Sequence, residues 1–200
     1  MSLNIISQND EKVSVKLKGI PLQYANALRR ICLNGIPIYA IDTVDVLVNS
    51  SVLADEGIAH RLGLIPIKTE LSAVQQNNES DKIMFTLDSG ETNQTRTILS
   101  GELKSQDETI KPISDNIPII TLAPGQRLKI EAYARLGRGT EHAKWNSANI
   151  STLTESEKDD ERVLTVETTG SLEPHDIILS SVEELSRRLD EFKNLLSDLK

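Results

Sequence analysis

Residues 12–18, Lys-Val-Ser-Val-Lys-Leu-Lys, carry an apolar side chain at every second position, the period of a strand with one buried face. Gly19 and Pro21 interrupt it, and the period then changes. Leu22, Ala25, Leu28, Ile31 and Cys32 recur at helical spacing, which predicts a helix over 22–34 with a single apolar stripe. Gly35 supplies its C-terminal stop and Pro37 follows. Arg29 and Arg30 stand beside the stripe.

Further along, 38–48 predicts a strand. Residues 52–63 predict a short helix, with Leu53, Ile58, Ala59 and Leu62 apolar and Gly63 closing it, and Pro66 restarts an extended segment. Residues 72–82 are polar and predict a loop. Residues 83–103 predict two short strands about a Ser-Gly-Glu-Thr-Asn turn. Strands over 117–122 and 128–135 flank Ala-Pro-Gly, a strong turn signal. Residues 137–150 predict a Gly-containing loop holding the single Trp. The Ser/Thr-then-acidic stretch 151–162 is the best linker candidate, and 163–168 alternates as a strand.

The last segment is the most regular. Pro174 suits the first turn of a helix and Asp176 its positive end. Apolar residues then fall at Ile178, Val182, Leu185, Leu189, Phe192, Leu196 and Leu199, a heptad seam of alternating four- and three-residue steps. Glu183–Arg187 and Glu184–Arg188 are expected as i,i+4 pairs in the favourable orientation. Such a stripe must be covered, by the chain's own sheet or by a partner subunit, and spacing leaves both open.

Composition narrows the function classes. The 200 residues contain 38% hydrophobic and 26% charged residues, ordinary for a globular chain, with aromatics at only 3%. A core of Ile, Leu and Val is expected, large enough to need no disulfide or metal. The net charge of −8 and the absence of any long Lys/Arg run argue against direct DNA binding, because non-specific affinity comes from neutralised phosphates. A single cysteine, Cys32, excludes an internal disulfide and any cysteine-built zinc or iron–sulfur site; within the apolar stripe it reads as a buried thiol. No signal peptide and no membrane-length apolar run is present, so a cytoplasmic protein is expected.

The candidate chemistry is sparse. Glu56 and His60 share a helical face, but a helical metal site needs at least a third ligand, and none is near in sequence. His142 follows Glu141 in the loop, and His175 sits at a helix start. Gly137-Arg138-Gly139 resembles a fragment of a phosphate loop without its Gly-Lys-Ser/Thr ending. No nucleophile elbow is present. No catalytic residues, metal or cofactor are expected. A small metal-dependent hydrolase built on Glu56 and His60 is the competing enzyme reading.

Three stretches together carry a family likeness. Asn26-Ala27-Leu28-Arg29-Arg30-Ile31 resembles the signature helix of the α-like subunits of cellular RNA polymerases. Ala40-Ile41-Asp42-Thr43-Val44, followed by Asp55-Glu56 and Ala59-His60-Arg61-Leu62-Gly63-Leu64-Ile65-Pro66-Ile67, is similar to the archaeal and eukaryotic branch. Glu141-His142-Ala143-Lys144-Trp145 matches a further block of that branch. The chain resembles the D-type α-like subunits of archaeal polymerases over nearly its whole length.

The resemblance implies an α+β fold with a discontinuous dimerisation domain (1–47 and 163–200) and an inserted, mainly β domain (48–162). It also implies a non-catalytic assembly role. Such subunits pair with a smaller α-like subunit, L in archaea, and with the small subunits N and P form the platform for the two large catalytic subunits. The expected partner-contact residues are Leu28, Arg29, Arg30, Ile31, His60, Arg61, Trp145, Val182, Leu185, Leu189, Phe192 and Leu196. Arg29 and Arg30 are expected to contact a large subunit, and Trp145 to be an interface anchor or a core residue. Residues 68–82 and 146–162 contain no cysteine, so neither the iron–sulfur domain nor the zinc loop of some relatives is expected. No separate DNA-reading domain follows residue 200, so the bacterial arrangement is not expected either. A self-associating α-like scaffold is the alternative within this reading.

Overall fold

The computed structural model describes residues 2–70, 82–155 and 161–197. The chain divides into two compact units, Met1–Pro37 with Arg138–Lys200, and Ile38–Gly137. The joins differ from those expected at 47/48 and 162/163, and strand pairing is the reason. Residues 38–49 pair along their length with 128–137, which places both in the second unit. Residues 148–155 pair with the strand that follows them, which places them with the chain ends.

The first unit is a four-stranded sheet carrying two helices. Its strands are β1 (Ser2–Gln8), β2 (Lys12–Lys18), β9 (Ala148–Glu155) and β10 (Glu161–Thr168), in the order β1-β2-β10-β9. All neighbours are antiparallel. Val13, Val15 and Leu17 of β2 and Leu164 and Val166 of β10 are buried, the single covered face that the alternation predicts. Helices α1 (Leu22–Asn34) and α3 (Pro174–Ser197) cover it: α1 lies on β9 and β10, α3 on β10 and β2, and the helices pack on each other.

The second unit contains β3 (Ile38–Asn49), α2 (Asp55–Gly63), β4 (Ile83–Asp88), β5 (Arg96–Leu99), β6 (Lys104–Ser105), β7 (Pro118–Leu122) and β8 (Leu128–Gly137). One sheet runs β3-β8-β4-β6 and a two-stranded sheet pairs β5 with β7. Along β8, Leu128, Ile130, Ala132, Ala134 and Leu136 point inward, alternating with Lys129, Glu131, Tyr133 and Arg135. With Tyr39, Ile58, Leu62 and Phe85 they form one aliphatic-rich core. Asp88 receives both the Nε and Nη2 hydrogens of Arg127, at 3.0 and 2.7 Å. The Arg127 hydrogen bond, with help from the Gly90 amide, holds the Asp88 carboxyl down at about 2.

Several expectations are corrected. The acidic stretch is not a linker where it is described: 151–155 complete β9 and 161–162 open β10, as adjacent strands of one sheet. Residues 156–160, and the loop expected over 72–82 apart from Lys82, lie outside the described residues. The strands predicted around 89–93 exist but do not pair with each other. β4 joins β8 and β6 while β5 joins β7, since each matches its hydrophobic face to a different sheet. The helix predicted from residue 52 begins at Asp55, with Ala54 as its extended cap.

Candidate partner interface

Helix α1 divides its residues between the two sides. Ala25, Ile31 and Cys32 are buried within the unit, Leu28 is half-buried, and Leu22 and Tyr24 are exposed. The two arginines separate likewise. Arg29 binds its own unit: Nε donates to Asn26 Oδ1 at 2.9 Å and Nη1 to the Ser151 carbonyl at 3.4 Å, while the Ser151 hydroxyl donates to the Arg29 carbonyl at 2.8 Å. Arg30 is exposed and has no ion pair with a described residue.

Helix α3 presents two different stripes. Ile177, Ser181 and Glu184 face inward. The heptad seam lies roughly a quarter turn away around a 3.6-residue helix, and beyond Ile178 only Leu185 of it is partly covered. Leu185 is half-buried, and Val182, Leu189, Phe192 and Leu196 are all exposed, Leu189 by 52% and Phe192 by 60%. Leu199 lies outside the described residues. From Ser186 onward every described residue of α3 is exposed, so its second half, seam included, is not covered by its own unit. Of the ion pairs expected on this helix, Glu184–Arg188 forms, with Nε 2.7 Å from Oε1. Arg187 turns instead to Glu184 and Glu191, because the inward Glu184 already anchors this part of the helix.

Two side chains on the same side escaped sequence reasoning. Leu3 pairs directly with Leu17, and Ile5 with Val15, so both lie on the face that α3 covers further in. Both are about half exposed. The apolar face thus continues past the helices onto the edge strand. An apolar pair two residues apart was the available signal, but Ile6 and the register shift after Ile5 break the alternation.

The other expected contact residues are dispersed. His60 and Arg61 are exposed in the last turn of α2, in the second unit. Glu56 is on the same helix, and no group of three or more metal-type side chains occurs among the described residues. Trp145, expected as an interface anchor or a core residue, is 2% exposed in this chain and packs inside the first unit, with Lys144 Nζ 4.3 Å from the ring centroid. Ile31, 6% exposed, is likewise core.

The Gly-Arg-Gly fragment also has a structural task. Gly139 lies against the end of α1, where a β-carbon would come within 2.6 Å of Asn34 Cβ and 2.1 Å of Asn146 Oδ1. His142 Nδ1 accepts from the Lys144 amide at 3.1 Å and starts the 3-10 turn Ala143–Trp145. Among the described residues no helix is long and apolar enough to cross a membrane.

Residues 41–156 match the RNA polymerase Rpb3/RpoA insert domain. The chain is also similar to archaeal proteins named DNA-directed RNA polymerase subunit Rpo3. It is 43% identical over 146 residues to that of Pyrococcus furiosus, covering 72% of this chain and 56% of the relative. It is 38% identical over 172 residues to that of Methanocaldococcus jannaschii, covering 86% and 84%. With that of Aeropyrum pernix the identity is 33% over 168 residues, covering 76% and 58%. The chain thus spans little more than half the length of the Pyrococcus and Aeropyrum relatives and most of the Methanocaldococcus one.

Proposed function

The chain belongs to the Rpb3/RpoA family of DNA-directed RNA polymerase subunits, and we propose that it is a non-catalytic assembly subunit of such an enzyme in the cytoplasm. The units formed by the chain ends and by the middle of the chain correspond, in this reading, to a dimerisation domain and an inserted domain. The first pairs with a smaller α-like subunit, the L type of archaea. The resulting platform, with small subunits of the N and P type, receives the two large catalytic subunits.

The observation that carries this reading is the uncovered second half of α3. Its buried residues end at Glu184, and from Ser186 to Ser197 every residue is exposed. Leu189, Phe192, Leu195 and Leu196, with Val182 before them, therefore have no cover in their own unit. Monomeric proteins rarely leave a row of this kind open, and cores of subunit interfaces are rich in aliphatic and aromatic residues. Leu3 and Ile5 add exposed apolar side chains at the edge of the sheet face that the helices cover, and Leu28 of α1 is half-buried. Exposed Arg30, His60 and Arg61 supply charged and hydrogen-bonding groups for a large subunit.

The reading is tested by reconstitution from purified subunits. Omitting this chain prevents the two large subunits from entering one particle, and adding it with the small α-like subunit restores assembly and transcription. Large subunits that assemble and transcribe equally well without it would overturn the proposal.

A further inference from the structure

The last turn of a helix leaves carbonyls without intrahelical partners, and those of α1 are met from the 138–151 segment. The Ser147 hydroxyl donates to the Cys32 carbonyl at 2.8 Å and the Ser147 amide to Leu33 at 3.2 Å. Arg138 Nη1 donates to the Gly35 carbonyl. That guanidinium reaches further: Nη1 also lies 3.0 Å from Glu184 Oε1 on α3. One side chain therefore joins the end of α1 to the side of α3.

The site is built around that bridge. Glu184 is 8% exposed and also accepts from Arg187 Nε and Nη2 at 2.9 and 2.8 Å and from Arg188 Nε at 2.7 Å. Burial works against its charge. The hydrogen bonds from Arg187 and Arg188 and the charge of Arg138 outweigh burial and keep its pKa below the ordinary carboxylate value. The backbone that carries Arg138 is fixed as well. Its amide donates to Glu141 Oε1 at 3.0 Å, and the neighbouring Gly139 sits flush on Asn34.

Apolar contacts between α1 and α3 set little register by themselves, because dispersion contacts are non-directional, and the Ser181–Cys32 side-chain hydrogen bond is a single weak tie. A guanidinium shared between a named carbonyl and a named carboxylate has direction and distance, and register-setting is the best-attested use of such buried polar groups. Leu185 is adjacent to Glu184 in the helix, and Leu189 follows one turn later, so fixing Glu184 fixes where the exposed seam points. We propose that Arg138 is a positioning residue for partner docking: by bridging Gly35 and Glu184 it pre-sets the α1–α3 geometry that presents the apolar seam. The inference rests on partner pairing through this face. Pre-organisation of this kind acts on affinity by reducing what must be ordered on binding.

The test uses the full chain with the purified small α-like subunit as probe. Affinity is titrated for wild type, Arg138→Met, Glu184→Gln, the double variant and Arg138→Lys. In the same chains, pulsed electron paramagnetic resonance measures the α1–α3 distance between labels at Gln23→Cys and Glu183→Cys. Cys32 does not compete for label, being buried with its thiol pushed up to about 11.

Arg138→Met is expected to raise Kd at least tenfold and to broaden the distance distribution. The double variant should be no worse than the worse single one, and Arg138→Lys, which keeps the charge but loses the planar fork, should fall between. Should Arg138→Met not fold, Arg138→Lys against wild type decides the same question. An unchanged Kd, or a raised Kd with an unchanged distance distribution, overturns the positioning role. A wild-type chain that does not bind the small subunit at all overturns the pairing reading itself, and the inference with it.

Discussion

Leu189→Asp raises the Kd for the small α-like subunit about a thousandfold while leaving the chain folded. The side chain is 52% exposed in the free chain, so little packing is lost when it is replaced there. In the proposed complex it lies mid-seam, between Leu185 and Phe192. Removing a buried leucine from an interface forfeits about 1.5–3 kcal/mol, and enclosing a carboxylate without a partner costs at least a further 1–2 kcal/mol. The sum is about 4 kcal/mol, or about a thousandfold in affinity. Titration calorimetry measures it, with an exposed second-unit change such as Lys111→Ala as the control that leaves binding intact. Affinity unchanged by Leu189→Asp would refute the seam as the docking face.

Trp145→Ala has the opposite signature. The ring is fully enclosed in the first unit, and truncating a buried Trp typically costs about 3–5 kcal/mol. The midpoint of urea unfolding, followed by far-ultraviolet circular dichroism because the only Trp has been removed, should fall accordingly. A residue whose work is done at an interface would behave otherwise, weakening binding while leaving the isolated chain as stable as before. Stability within about 1 kcal/mol of wild type would therefore restore Trp145 as a surface anchor and contradict the core assignment.

What could be read from residues alone follows from where periodicity is clean. Helix α1, strand β2, strand β8 and helix α3 each bury one face over seven or more residues, and their apolar spacing shows it. The exposed seam of α3 was visible for the same reason, as a second apolar row that a single sheet had no need of. Whether its own sheet or a partner covers that row was not legible. The answer depends on Ile177, Ser181 and Glu184, a mixed stripe with no hydrophobic pattern to mark it as the inward one.

Three strands were missed outright, the two-residue β6 and the longer β1 and β9. β1 is exposed along its whole length and is interrupted by a register shift, so it has no buried face to impose alternation. β9 is rich in Ser and Thr and reads as linker composition, yet it pairs residue by residue with β10. Sheet membership was equally hidden: β4 and β5 are separated by a good turn signal and still join different sheets. The Arg138 bridge escaped because its partners, a backbone carbonyl and a glutamate 46 residues on, leave no mark in local sequence. The family likeness located the important blocks, but it could not assign the Glu141-to-Trp145 block to the end of α1.

The central claim is that this chain pairs with a different α-like chain and not with itself. Size-exclusion chromatography with light scattering, on the purified chain alone and mixed with the small α-like subunit at equal concentration, tests it most directly. The predicted result is a single one-to-one heterodimer in the mixture, lost on Leu189→Asp. A homodimer that persists in the mixture, with no heterodimer formed, would contradict the account.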